Sequence, residues 1–158
     1  MTSLSLYEDL LGPREVLTLP AGVRIVYVAS GELASLHAGS AAYGRDEAEL
    51  RAGRDGATVL RWELTEWSVD DAKLSRPIEL DPWGDYALRC ERDGDLAGRQ
   101  GIGCVLRGEL LVDGERVQPF GAFPQPAELY GKGSHVRVEL VRADELIGDA
   151  LAQGPVHL

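Results

Sequence analysis

Cysteine, methionine and phenylalanine are scarce in this chain: two Cys, one Met and two Phe in 158 residues. Two cysteines, Cys90 and Cys104, make neither a disulfide framework nor a zinc site. They read as buried thiols in a reducing cytoplasm. A bridge between them is sterically open only if they lie opposite each other on neighbouring strands. No apolar run reaches the roughly 18 residues that a transmembrane helix needs. Residues 1–11 show no basic start ahead of an apolar run, so no signal peptide is visible and the expected location is cytoplasmic. Positive charge is also short. Sixteen Lys and Arg against 26 Asp and Glu leave a net charge of -10, which repels phosphate backbones and anionic lipid. Nucleic acid and membrane are therefore not expected partners, and the charge reads as a solubility device.

What the chain does have is glycine, 19 residues of it, with 44% apolar and 27% charged residues. That balance suits a globular protein with many tight turns, and a chain of roughly 150 residues buries about 70% of its unfolded surface. Ser5 and Glu8 have capping-box spacing, with Leu6, Leu10 and Leu11 on one face and Gly12-Pro13 as the stop. The spacing predicts a short N-terminal helix. Val23 to Ala29, Ala57 to Leu64, Tyr86 to Arg92, Gly101 to Arg107 and Val136 to Leu140 have strand composition or period-two alternation. Ser30-Gly31-Glu32 reads as a turn. Residues 67–82 read as a linker with a short strand near Ile78, and residues 144–158 as a tail that starts with a helical turn.

The chain is similar to itself. Ile25 to Leu33 aligns with Gly103 to Leu110, each placing Gly-Glu-Leu after an apolar strand, at Gly31 and at Gly108. Ala48-Glu49-Leu50 aligns with Ala127-Glu128-Leu129, and Arg61-Trp62-Glu63-Leu64 with Arg137-Val138-Glu139-Leu140. Ordered matches of this kind indicate a duplicated β unit. The expected organisation is an N-terminal half (1–66), the linker (67–82), a C-terminal half (83–143) and the tail.

Leu36 to Gly39 reads L-x-A-G, and Pro119-Phe120-Gly121 reads Pro-x-Gly. With the strand-turn units above, these resemble the cupin superfamily over Leu17 to Val141, in a bicupin-like form. The resemblance implies an all-β, double-stranded β-helix (jelly roll), internally duplicated, and a homodimer. Metal-binding cupins carry a His-x-His pair, a Glu and a further His. The matching positions here are vacant: Arg24 and Ala42 stand at the Glu and second-motif His positions of the first copy, Gly101 and Pro124 at those of the second, and neither copy has the histidine pair. A cation at Arg24 would repel a metal. The resemblance thus implies a cupin without metal chemistry, and no cofactor is expected.

Other chemistry is sparse. His37, His135 and His157 read as rim, surface or tail histidines. Gly-x-Ser-x-Gly is absent, and Gly101-Ile102-Gly103 lacks the third glycine of a dinucleotide fingerprint. Alternation puts Arg24, Val26 and Val28 on one strand face. If the first barrel is open, Arg24 can hold an anionic group with Tyr43 and Trp62 as aromatic walls. The expected function is a non-catalytic, metal-free module that binds a small ligand or a protein partner. A metal-independent isomerase or lyase using Arg24 or a carboxylate, and a structural or regulatory assembly subunit, are the alternatives.

Overall fold

The computed structural model describes residues 2–66, 71–81, 84–93 and 99–144. The elements given for these residues are all strands. The first set is β1 (Ser3–Leu11), β2 (Val16–Leu19), β3 (Arg24–Leu33), β4 (Leu36–His37), β5 (Ala41–Gly44), β6 (Ala48–Thr65) and β7 (Leu74–Pro77). The second is β8 (Tyr86–Arg92), β9 (Gly101–Arg107), β10 (Leu110–Val112), β11 (Glu115–Val117), β12 (Ala122–Gln125), β13 (Leu129–Tyr130) and β14 (Ser134–Arg142). The architecture is an all-β jelly roll.

One sheet runs β4-β3-β6-β1-β7, with β2 paired to β6 and β5 to β3. The second set forms a β12-β9-β14-β8 sheet and a small β11-β10-β13 sheet. The pairing repeats between the sets. Arg24 and Val26 of β3 stand opposite Glu63 and Arg61 of β6, and Gly101 and Gly103 of β9 opposite Glu139 and Arg137 of β14. Ser5 and Tyr7 of β1 face the same two β6 residues from the other side, as Arg89 and Glu91 of β8 face those of β14.

Period-two alternation explains where the cores lie. Ile25 and Tyr27 of β3, Leu60 and Trp62 of β6, and Leu4 and Leu6 of β1 point into one core. Leu88, Ile102, Cys104, Val136 and Val138 of the second set enter the same core. The Trp62 Nε1–H crosses it and donates to the Ile102 carbonyl at 3.0 Å. The alternate residues turn the other way, into a core of the first set around Val26, Val28, Leu50 and Val59. Val105, Leu110, Val112, Phe123 and Ala127 form the corresponding core of the second set.

Two sequence expectations are corrected. Ser3–Leu11 is a strand and not a helix. Leu4, Ser5, Leu6 and Tyr7 are all buried, because β1 lies between β6 and β7, with Leu4 and Leu6 in the shared core and Tyr7 under Arg61 on the other face. A helix could bury only one stripe there. Ser5 and Glu8 do not close a capping box: the Ser5 hydroxyl is 2.7 Å from that of Ser75, and Glu8 pairs with Lys73 at 2.8 Å. Ser30-Gly31-Glu32 is not a chain reversal. It lies inside β3, where the register against β6 shifts twice. Gly31 has φ +72, and a Cβ there would sit 2.2 Å from the Gly56 carbonyl oxygen. The repeated Gly108 also has positive φ, +66. This is the backbone requirement behind the repeated Gly-Glu-Leu. The expected linker gives β7 just ahead of Ile78, and the tail from residue 145 lies outside the described residues.

Candidate functional site

The faces turned away from the shared core carry the polar chemistry, and they differ between the two sets. In the first, Arg24 is 1% exposed and fully engaged. Its Nε donates to Glu63 at 3.0 Å, its Nη1 to the Asp46 carbonyl at 2.8 Å and its Nη2 to the Pro20 carbonyl. Arg61 bridges Asp9 at 2.8 Å and Glu63 at 2.9 Å and lies 4.3 Å above the Tyr7 ring. A guanidinium with acceptors on every nitrogen has little left to offer a ligand.

In the second set the residue opposite the glutamate is Gly101, and two positions on is Gly103. Both fall on the inner face, so β9 is cleared of side chains there. A Cβ at Gly101 would sit 2.3 Å from the Val138 carbonyl oxygen, and one at Gly103 would sit 2.3 Å from the Phe123 ring. The backbone approaches β14 closely, and the phenyl ring covers the gap. Across this face the registers place Gln125, Gly101, Glu139 and Arg89 in one row and Phe123, Gly103, Arg137 and Glu91 in the next. Glu139 accepts from Arg89, and Arg137 donates to Glu91 at 2.5 Å.

Two side chains on this face are unsatisfied. Gln125 is 1% exposed, yet neither its Oε1 nor its Nε2 has a hydrogen-bond partner among the described residues. His135 is 7% exposed. Its Nδ1 lies 3.6 Å from Asp93 Oδ1, and its Nε2 is buried without a partner. Burial pushes the His135 pKa below the ordinary histidine value, which Asp93 opposes and Arg137 reinforces, so the ring is neutral at pH 7. The Asp93 carboxylate is anchored by the His135 backbone N–H at 2.8 Å and the Ser134 hydroxyl at 3.1 Å.

The described residues of this face do not suit a metal. Among the described residues no three His, Cys, Asp or Glu side chains converge as a ligand set. On the inner face of the second set His135 is accompanied by Glu139 and Glu91, each already held by a guanidinium. A divalent cation there would meet Arg89 and Arg137.

The three residues read from sequence as a ligand site are not brought together. Tyr43 and Trp62 both stand opposite Ile25 and pack in the shared core. Arg24 lies one residue along β3, on the other face. The Tyr43 hydroxyl accepts from Arg45 Nε at 2.5 Å. Cys90 and Cys104 form no disulfide, and β14 runs between the strands that carry them. Burial pushes both thiols up to about 12. His37 is exposed, but His135 is not the rim histidine that its place at a strand start implies. Gln125 was not foreseen either. The available signal was Gly101-Ile102-Gly103, since two glycines at period two clear one face of a strand.

No family model matches the chain, and no curated protein matches it. Solved structures do. A salicylate 1,2-dioxygenase from Pseudaminobacter salicylatoxidans aligns over 95% of this chain and 73% of its own, at 11% identity and TM-score 0.53. A cupin 2 conserved barrel domain protein from Leptotrichia buccalis aligns over 87% and 84%, at 15% identity and TM-score 0.45. A putative dioxygenase from Nostoc punctiforme aligns over 88% and 69%, at 16% identity and TM-score 0.48. At these identities the likeness is one of fold.

Proposed function

We propose that this chain, a cupin-type jelly roll in fold, is a metal-free binding module that holds a small, uncharged, hydrogen-bonding molecule against the inner face of β12-β9-β14-β8. The observation that carries this reading is the Gln125 amide, buried with both polar atoms unpartnered. A buried amide without partners is unfavourable by roughly 1–3 kcal/mol, and a ligand presenting one donor and one acceptor removes that penalty. The neutral His135 Nε2 supplies a second acceptor. The nearby charges are paired, Arg89 with Glu139 and Arg137 with Glu91, so the face favours a neutral polar ligand over an ion. Arg24, the centre of the alternative enzyme reading, is held by three acceptors.

The test is an NMR titration of the full chain with neutral amides and polyols, led by acetamide and glycerol, beside elemental analysis for metals. Saturable shifts at Gln125 and His135, lost in Gln125→Leu, are expected, with no stoichiometric transition metal. A tightly held equivalent of iron, manganese or nickel would refute the metal-free reading. The homodimer implied by the resemblance belongs to the same proposal. Sedimentation equilibrium reads it as twice 17.1 kDa, and a single 17.1 kDa species removes it.

A further inference from the structure

A second place in the molecule has the opposite electrostatic character. Between the two strand sets lies a cleft of about 170 Å³, smaller than the ~300 Å³ at which drug-sized sites begin. Tyr27, Ala29, Ala38 and Gly39 line it from the first set, and Arg92, Leu106, Arg107, Phe120 and Ser134 from the second. Two of these residues are arginines and none is a carboxylate, in a chain where acids outnumber bases 26 to 16.

The cleft is shaped as well as charged. Gly39 has φ +85, and a Cβ on it would meet Arg92 Nη1 at 3.4 Å, so the guanidinium is seated against bare backbone. Arg92 and the buried Tyr27 line the cleft together. Arginine can only donate, so the phenol O–H is not spent on Arg92. Arg92 Nε lies 3.9 Å from the Asp93 carboxylate. That group is already engaged by the Ser134 hydroxyl and the His135 N–H. Phe120, on the opposite wall, is held at φ +65, a conformation unfavourable for a bulky residue. Its N–H is fixed to the Val105 carbonyl at 2.7 Å and its carbonyl to Lys73 Nζ at 3.0 Å.

We propose that this cleft binds a small organic acid: the carboxylate against Arg92 and the Tyr27 hydroxyl, with Arg107 adding positive charge, and the apolar body between Phe120 and Leu106. A free phosphate would fit less well, because its outer oxygens would lie against apolar walls without donors. Neither Gln125 nor His135 lines this cleft, although Asp93 lies against both Arg92 and His135.

The test is an NMR titration of the ¹⁵N-labelled full chain with sodium benzoate at low ionic strength, with benzamide and sodium phosphate as comparators. Benzoate should shift the amides of Gly39, Phe120 and Ser134 saturably. Arg92→Gln and Arg107→Gln should each weaken it, Arg92→Gln by about tenfold or more, the loss typical of a charge-assisted hydrogen bond. Benzamide should bind at least about tenfold more weakly, and phosphate should not compete at equal concentration. Gln125→Leu should leave benzoate binding unchanged, so this inference and the proposed function fail separately. Arg92 is more than half exposed, so its replacement should leave the fold, read from spectral dispersion, intact. Equal affinity for benzamide, effective competition by phosphate, indifference to both arginine variants, loss of binding in Gln125→Leu, or no saturable shift at millimolar benzoate would each overturn the assignment.

Discussion

Glu63 and Glu139 occupy the same register position in the two strand sets, yet the guanidinium that reaches each from a neighbouring strand comes from a different side; Glu63 also pairs with Arg61 of its own strand. Arg24 of β3 serves Glu63, and Arg89 of β8 serves Glu139. The strand facing the first glutamate carries a long cationic side chain, and the strand facing the second carries Gly101. Moving the arginine from one neighbour to the other keeps the ion pair and clears the middle of the sheet.

Arg24 is among the largest fully buried side chains, and its formal counter-charge is Glu63. Glu63→Gln keeps the volume and removes the charge. Breaking a buried pair from one side costs about 3–5 kcal/mol, and a loss of that size is expected in urea unfolding. A loss below about 1 kcal/mol would show that the Pro20 and Asp46 carbonyls are enough to hold Arg24.

Gln125→Leu should separate stability from binding. It replaces an unpartnered buried amide with an apolar group beside the Phe123 core. The ligand-free protein should gain roughly 1–3 kcal/mol while losing its response to neutral amides. A destabilised variant would show that the amide is satisfied in solution.

His135 sets a pH dependence. Its folded pKa is below the ordinary value, so below about pH 6.5 the unfolded chain takes up a proton that the folded chain refuses. Stability is then lost as pH falls from the unfolded value toward the folded one. Chemical denaturation from pH 7.5 downward should show this slope in the wild type and a shallower one in His135→Gln. Identical slopes would place the loss on other groups.

Both thiols are held near 12, far above a reactive cysteine. Iodoacetamide at pH 8 should therefore label neither Cys90 nor Cys104 in the folded protein and both in denaturant. Rapid labelling of the folded chain would mean that the shared core opens locally.

Much of the strand pattern is legible in the sequence. Tyr86–Arg92 and Gly101–Arg107 have in the structure the bounds that composition and alternation imply, because a strand buried on a defined face writes that face into every second residue. The repeated Gly-Glu-Leu triplets mark places where both strand sets need a positive φ. β1 was hidden because Ser5 and Glu8 have capping-box spacing that competes with the Ser-Leu alternation of Ser3 to Leu6.

The sequence by itself determined an acidic, β-rich chain with three histidines and two stretches of similar sequence. It could not say which face of each strand would meet the other set. That choice put Trp62 and Tyr43 in the shared core and Arg24 against Glu63, and it left Gln125 and His135 buried without full partners. Side-chain alternation is local, but whether a given face meets a core, a counter-charge or a cleft depends on strands dozens of residues away. Only the assembled tertiary structure supplies those neighbours.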